Sequence, residues 1–579
     1  MIAGPLLNRE MLTVPRALRH HLLRIGFLTA CCVLLWTAHH ITFGLKQTLT
    51  IGDMSRFGAF IFNVLCGIQL VLVIGSSLML SAGSVAQEKD RRTLIILLMT
   101  DLRSTELVVG KALGSLLSTV TLIVLFFPAL CALSLLGGIT VPQIVWVELL
   151  CLASALAAAA WGTFVAYWRD KTFQTLAITV LGAGLFVGVV EILVAALGDS
   201  GLAAEIIGGL NPFRTLGAIL SPLTAQPDVA TPVAFAGNSV AALFGMAVVL
   251  FTWASLRVRI WNPSRVVHFQ QEETKEEAGR SAAPTRAPRP VWARPLLWRE
   301  TCTEAYGKKV GLIKGAYFVV LGLCLLWVAS SSADSELLLG SLSPAGVAFV
   351  GLSLTALLLV NAQAVTSLTS ERDGQTLELL LVTEVSAKEF IFSKLGGILF
   401  NMKEVIAVPL LFALSMLLRN SLPIDAFFYV VIGFLALVCF GAMLGLHASL
   451  SYENSRSAIL NSLGTMFFLF VGIFVCIVLI VEARSSYQMQ FVPFLTFIVG
   501  GSIALWVSLT RRNPSTALQI SAATLPFFTF YAISSFLLGH SIPVLLSILA
   551  TYGFTTTAML MPAISSFDVA FGRSSVSRG

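Results

Sequence analysis

Fourteen apolar stretches, each bounded by charge or by turn-forming residues, divide the chain. They lie near 25–43, 57–81, 113–136, 142–166, 173–197 and 234–256, then near 312–331, 343–366, 400–418, 424–449, 457–481 and 491–510. A last pair lies near 516–538 and 541–563. A helix needs roughly 20 residues to cross the hydrocarbon of a bilayer, and most of these stretches have them. Backbone in lipid must satisfy its own hydrogen bonds, so each stretch is predicted to be a helix. The predicted fold class is an all-α polytopic membrane protein.

The polar segments between these stretches repeat. Glu88-Lys89-Asp90-Arg91-Arg92-Thr93-Leu94 returns as Glu371-Arg372-Asp373-Gly374-Gln375-Thr376-Leu377, an offset of 283. At that offset Thr100, Glu106 and Lys111 meet Thr383, Glu389 and Lys394, and Leu97 and Leu98 meet Leu380 and Leu381. Shared membrane composition makes apolar letters coincide, not Glu, Asp, Thr and Lys. Upstream, Pro5-Leu6-Leu7-Asn8-Arg9-Glu10 returns as Pro295-Leu296-Leu297-Trp298-Arg299-Glu300. The chain therefore reads as a duplicated unit. The expected division is a first repeat over 1–262, a linker over 263–290, a second repeat over 291–512 and an extra hairpin with a tail over 513–579. The two six-helix repeats are expected to be parallel, because an even number of spans precedes the second.

Local pattern refines this. In each repeated segment the charged opening is followed by leucines at i, i+3 and i+4 (Leu94, Leu97, Leu98; Leu377, Leu380, Leu381), which predicts an amphipathic helix on the membrane surface. Residues 1–24, rich in Leu and Arg, predict an interfacial helix, and 292–310 repeat it with Trp292 and Trp298 at headgroup depth. The linker joins a charge run, Gln270 to Glu277, to a stretch rich in Ala, Pro and Arg, and neither can bury a core. As a coil it would reach roughly 30 Å. The segment at 198–233 is either a pair of short helices dipping back into the membrane or a surface loop.

Composition agrees. Hydrophobic residues form 56% of the chain and charged residues 12%, about half the charged share of a soluble domain. The formal charge of +7 does not point to nucleic acid. With residues 1–24 inside, the outer loops hold Lys46, Arg56, Arg214, Arg419 and Arg484, and the other 32 of the 37 basic residues lie inside. That asymmetry predicts an integral plasma (inner) membrane protein with both termini in the cytoplasm. Of the nine cysteines, none falls in an outer loop, so no disulfide framework is expected. The basic start followed by Ile25 to Ala38 does not read as a cleaved signal, since no clean small-x-small site follows and the second repeat opens similarly.

Chemistry-bearing motifs are absent. Gly110-Lys111-Ala112 and Gly307-Lys308-Lys309 lack the spacing and the hydroxyl of a phosphate-cradling loop. No metalloprotease helix, paired C-x-x-C or nucleophile elbow occurs, and the adjacent pairs His20-His21 and His39-His40 diverge on a helix. No catalytic residue, metal ligand or resident cofactor is expected. Glu148, Glu191, Lys403, Glu404 and His447 fall within spans, where charge is costly and faces protein or water. Glu191 is the deepest and is the candidate path residue.

The repeated pattern runs from an acidic-basic pair through Thr-Leu and a leucine stripe to Thr, an acid and a Lys before a long span. It resembles the permease subunits of type-2 ATP-binding-cassette (ABC) exporters. The Arg-Glu at Arg9-Glu10 and Arg299-Glu300 resembles their elbow helix, and Asn211-Pro212-Phe213 is similar to their re-entrant segment. The family usually has glycine just before the first threonine, where this chain has Arg92 and Gln375. The resemblance covers nearly residues 1–510 and implies two fused six-span units around a central path. It implies coupling helices that dock a separate ABC ATPase, in two copies, with ATP and Mg on that partner. The implied ATPase-coupling residues are Glu88, Asp90, Thr93, Thr100, Glu106, Lys111, Glu371, Asp373, Thr376, Thr383, Glu389 and Lys394. Two other readings stay open: an ion-coupled secondary transporter and a membrane assembly protein that keeps a permease fold. The transported substrate is open as well, from lipids and polysaccharides to peptides and drugs.

Overall fold

The computed structural model describes residues 4–13, 18–44, 50–197, 202–220, 232–262, 290–302, 310–330, 343–377, 380, 383, 385–483, 487–510 and 515–565. Among these are twenty α-helices and no strand. The predicted linker lies almost wholly outside the described residues, as do the last residues of the chain.

In the first half, α1 (Gly4–Thr13) precedes six long helices: α2 (Leu18–Phe43), α3 (Ile51–Asp90), α5 (Ser104–Ser134), α6 (Val141–Trp168), α7 (Thr172–Leu197) and α10 (Pro232–Trp261). Between them stand three short helices, α4 (Thr93–Leu98), α8 (Leu202–Gly208) and α9 (Pro212–Leu220). The second half runs α11 (Pro295–Cys302), α12 (Val310–Ser330), α13 (Pro344–Asp373), α14 (Ala387–Asn401), α15 (Lys403–Leu418), α16 (Ile424–Ser451) and α17 (Ser455–Ala483). It ends with α18 (Tyr487–Thr510), α19 (Thr516–Leu537) and α20 (Ser541–Ser565).

Among the described residues twelve helices are long and apolar enough to cross a membrane, or 13 if α14 and α15 form one bent span. The apolar part of α12, Ile313–Ala329, is shorter and occupies the place of the seventh predicted stretch. The protein is thus an all-α polytopic membrane protein. The stretch expected as a straight helix over 400–418 is broken instead. Its chain turns by 53° between α14 and α15. The predicted segment at 198–233 contains two short helices, α8 and α9.

The halves interlock through equivalent elements. α7, the fifth span of the first half, packs on α12 and α13, and α17, the fifth of the second, packs on α2 and α3. Within each half the second and fourth spans cross closely. A Cβ on Gly162 would collide with Ser81 Oγ and lie 3.0 Å from the Leu78 carbonyl oxygen. A Cβ on Gly445 would lie 2.6 Å from Ala364 Cβ and 2.7 Å from the Asn361 oxygen. Those residues are all related by the offset of 283. In lipid, such backbone approach supplies the packing that water-driven burial cannot.

The halves differ at the end away from the charged repeats. α10 packs on α6, and the helix that packs in the same way on α16 is α20, not α18. The second half therefore carries the full-length hairpin α18–α19 where the first carries α8 and α9. All nine cysteines are unpaired thiols.

Candidate functional site

The repeated polar residues gather where α3 and α13 end. At about 1.5 Å per residue, the 40 residues of α3 run to about 60 Å, roughly twice the hydrocarbon thickness. Its last turns therefore stand outside the bilayer. They hold the charged run expected to open an amphipathic helix: Glu88, Lys89 and Asp90 close α3 rather than begin α4. In the second half, Glu371, Arg372 and Asp373 close α13.

The chain then reverses through a residue in the left-handed region. Arg92 has φ 60° and Gln375 φ 57°. These are the two positions where the resemblance places glycine, and the geometry gives the reason: a side chain there crowds its own carbonyl at a cost of about 1–2 kcal/mol. The threonine that follows ties the turn back. Thr93 Oγ1 donates to the Glu88 carbonyl at 3.3 Å, and Thr376 Oγ1 donates to that of Glu371 at 3.2 Å. Farther on, Thr100 Oγ1 donates to Leu97 at 2.6 Å and Thr383 Oγ1 to Leu380 at 2.5 Å. Glu106 and Glu389 occupy the first turn of the next helix. Glu106 accepts from the Arg103 amide at 3.2 Å, while the Glu389 amide donates to Ser386 Oγ at 3.2 Å.

The acids and lysines of the repeat pair with each other. Glu88 bonds Lys111, and Glu371 bonds Lys394 at 2.9 Å. In the second half α11 braces its pair from the side. Glu300 on α11 meets Lys394 at 2.9 Å, with side chains only 3% and 4% exposed. Arg299 joins both Glu300, at 2.8 Å, and Glu371. Burial alone would push the Glu300 carboxyl up, yet Lys394 and Arg299 outweigh it and hold Glu300 below the usual carboxylate range. In the first half α1 packs on α5, and Glu10 rests on Gly114, where a Cβ would lie 3.0 Å from Glu10 Cγ. Arg9 is exposed on the same helix. Glu300 rests likewise on Gly397, where a Cβ would lie 2.5 Å from Glu300 Cβ.

The repeat extends to residues that the sequence reading passed over. Lys89 Nζ donates to the carbonyls of Tyr167 and Arg169 at 2.6 and 2.9 Å, capping the end of α6. Its counterpart Arg372 donates to Tyr452 and, at 2.8 Å, to Ser449 at the end of α16. Lys89 and Arg372, Gly114 and Gly397, and Gly162 and Gly445 all keep the offset of 283. Lys89 and Arg372 lie within the polar block but differ in identity, and extending the offset past that block would have found the two glycine pairs.

Asp90 and Asp373 do different work. Asp90 accepts from Thr172 Oγ1 at 2.5 Å within its own half. Asp373, 5% exposed, takes Arg91 across the half boundary at 3.3 Å. The leucine stripe of α4 faces protein, not a membrane surface: Leu94 is buried among Val85, Leu107, Val108 and Val258, with Leu97 and Leu98 packed beside it. Arg259 clasps the far end of α4, donating to Leu102 at 3.0 Å and to Leu98 at 3.4 Å. Besides Thr93, what α4 and its cap leave outward is apolar: Ile96 is 65% exposed and Met99 79%. In the second copy, residues 378, 379, 381, 382 and 384 lie outside the described residues.

Glu191 stands apart from this site, near the opposite end of α7. It accepts from Asn211 Nδ2 at 2.6 Å and faces Arg214 at 3.5 Å. The basic partner that is absent from its own sequence neighbourhood is supplied by α9. Among the described residues no group of His, Cys, Asp and Glu is arranged to hold a metal ion. No family model matches the chain, and no curated protein or solved structure is significantly similar to it.

Proposed function

We propose that this chain is the transmembrane permease of an ATP-driven ABC exporter, with the ATPase on a separate polypeptide. The observation that carries the reading is the doubled, ion-pair-anchored turn at one end of the bundle, one copy per half. A device that receives a push needs a rigid base and an exposed contact. Glu88–Lys111 and Glu371–Lys394 supply the base, and Ile96 and Met99 an apolar contact rimmed by charge. In this reading that end lies in the cytoplasm of a plasma (inner) membrane protein, two ATPase copies bind, and their ATP- and Mg-dependent closure drives the halves about the axis between them. This chain itself hydrolyses nothing.

Glu88 and Glu371 point inward, so their loss would act on the fold before it acted on docking. The better probes are the outward residues. Ile96→Asp and Met99→Asp should leave the purified chain monodisperse but lower co-purification of tagged ABC ATPases from the source proteome by half or more. Retention of an ATPase at the unaltered level by the doubly substituted chain would refute the assignment of α4 as the coupling contact.

A further inference from the structure

The hairpin peculiar to the second half closes a chamber that the coupling site does not use. It has a volume of about 340 Å3 and lies among α13, α16, α17, α19 and α20. Three of these elements agree on its depth. Val350 and Leu357 lie in the first half of α13, Val544 to Tyr552 in the first half of α20, and Phe528 to Phe536 in the last half of α19. All of these are remote from Glu371, so the chamber occupies the side of the bundle opposite the charged repeats.

Its chemistry is narrow. Leu357, Phe440 and Met466, each 2% exposed, form the deep wall. No charged residue lines it. The hydroxyls of Thr529 and Tyr552 lie 3.3 Å apart and satisfy each other, so they do not call for water. Apolar voids of this kind stay dry, and an empty one forfeits dispersion contacts along its whole wall. At the rim, Val350, Phe528 and Phe536 are exposed on faces of spanning helices, where the surrounding medium is hydrocarbon. The corresponding level of the first half is crossed by a polar pair: Gln69 Nε2 donates to Glu148 at 3.0 Å, and the offset of 283 puts Leu352 and Val431 at those places.

We infer that this chamber is a binding site for the hydrocarbon chain of a bilayer lipid, entered sideways from the leaflet opposite the charged end. The volume falls at the small end of ligand pockets, which suits one chain rather than a whole lipid. With no charge on the wall, the headgroup stays outside at the rim. The inference does not depend on the transport reading.

The test reconstitutes the full chain in phosphatidylcholine vesicles containing a trace of phosphatidylcholine with a diazirine in one acyl chain. After irradiation, adducts are mapped by mass spectrometry. Adducts at Phe440 and Met466 should exceed those at Val249, an exposed position on α10, several-fold. Ala532→Trp, on the chamber wall, should suppress the first set and leave Val249 labelled. If that variant does not fold, the ratio in the unaltered chain still decides. Labelling at Phe440 and Met466 no greater than at Val249 overturns the inference.

Discussion

The two halves of the molecule agree at one end and differ at the other. At the charged end, Glu88–Lys111 and Glu371–Lys394, the left-handed turns at Arg92 and Gln375, and the caps made by Lys89 and Arg372 superimpose at one sequence offset. At the opposite end the first half has two short helices pinned by Glu191, Asn211 and Arg214, and the second has the full-length hairpin α18–α19. The third span is continuous in the first half and bent by 53° in the second. Duplication supplied both ends equally. The end that stayed alike is the one to which the proposed function assigns the same task in both halves, and the halves have diverged at the other.

The comparison predicts unequal damage from equal substitutions. Lys394 sits between Glu300 and Glu371 and is almost wholly buried, so Lys394→Met leaves two acids to share the one remaining cation, Arg299. Breaking a buried pair from one side costs about 3–5 kcal/mol. Lys111→Met removes the partner of the more exposed Glu88 and should cost clearly less. Thermal unfolding in detergent would rank them, and equal losses would break the comparison. The same pair sets an acid limit. Because Glu300 is held below its ordinary value, its contribution is complete above about pH 4.3, the unfolded value, and is lost as pH falls through the folded one. The unaltered chain should lose stability in that window. Glu300→Gln should be less stable at neutral pH and flatter across it.

Glycine substitutions should show the same order at smaller scale. Gly397→Ala drives a methyl group to 2.5 Å from Glu300 Cβ, close to the backbone, and should cost about 1–3 kcal/mol as overpacking. Gly114→Ala meets Glu10 Cγ at 3.0 Å, farther along a flexible side chain, and should cost less. Smallest of all are Arg92→Gly and Gln375→Gly. Each relieves a left-handed conformation at the price of unfolded-state freedom, so a net gain of up to about 1 kcal/mol is expected. A loss at either position would mean that the side chain, not the backbone, holds the turn.

Much of this was legible in the residues. Apolar length located the twelve helices long enough to span, because lipid leaves a backbone no alternative to the helix, but it also counted the shorter α12 and the broken pair α14–α15 as full spans. The constant offset of Glu, Thr and Lys located the charged end, because only polar identities carry information in an apolar chain. What stayed hidden depends on three-dimensional pairing. The break at Met402 has no proline or glycine at its centre, so the pattern showed one span. Glu191 finds Arg214 through the packing of α9, more than twenty residues away in sequence. The inward course of Glu88 and Glu371 follows from how far α3 and α13 extend past the bilayer, which composition does not mark. The equivalence of α20 and α10 rests on packing alone, since the order of spans suggests α18.

The central claim is that each half presents one docking station for an ATPase. It is tested most directly by the mass of the intact complex, measured after mild-detergent purification of the chain with its ATPase partner. The account predicts two ATPase copies per chain, falling to one or none when Ile96 and Met99 are both replaced by Asp. A stable complex with a single ATPase copy, or two copies bound undiminished to the substituted chain, would contradict it.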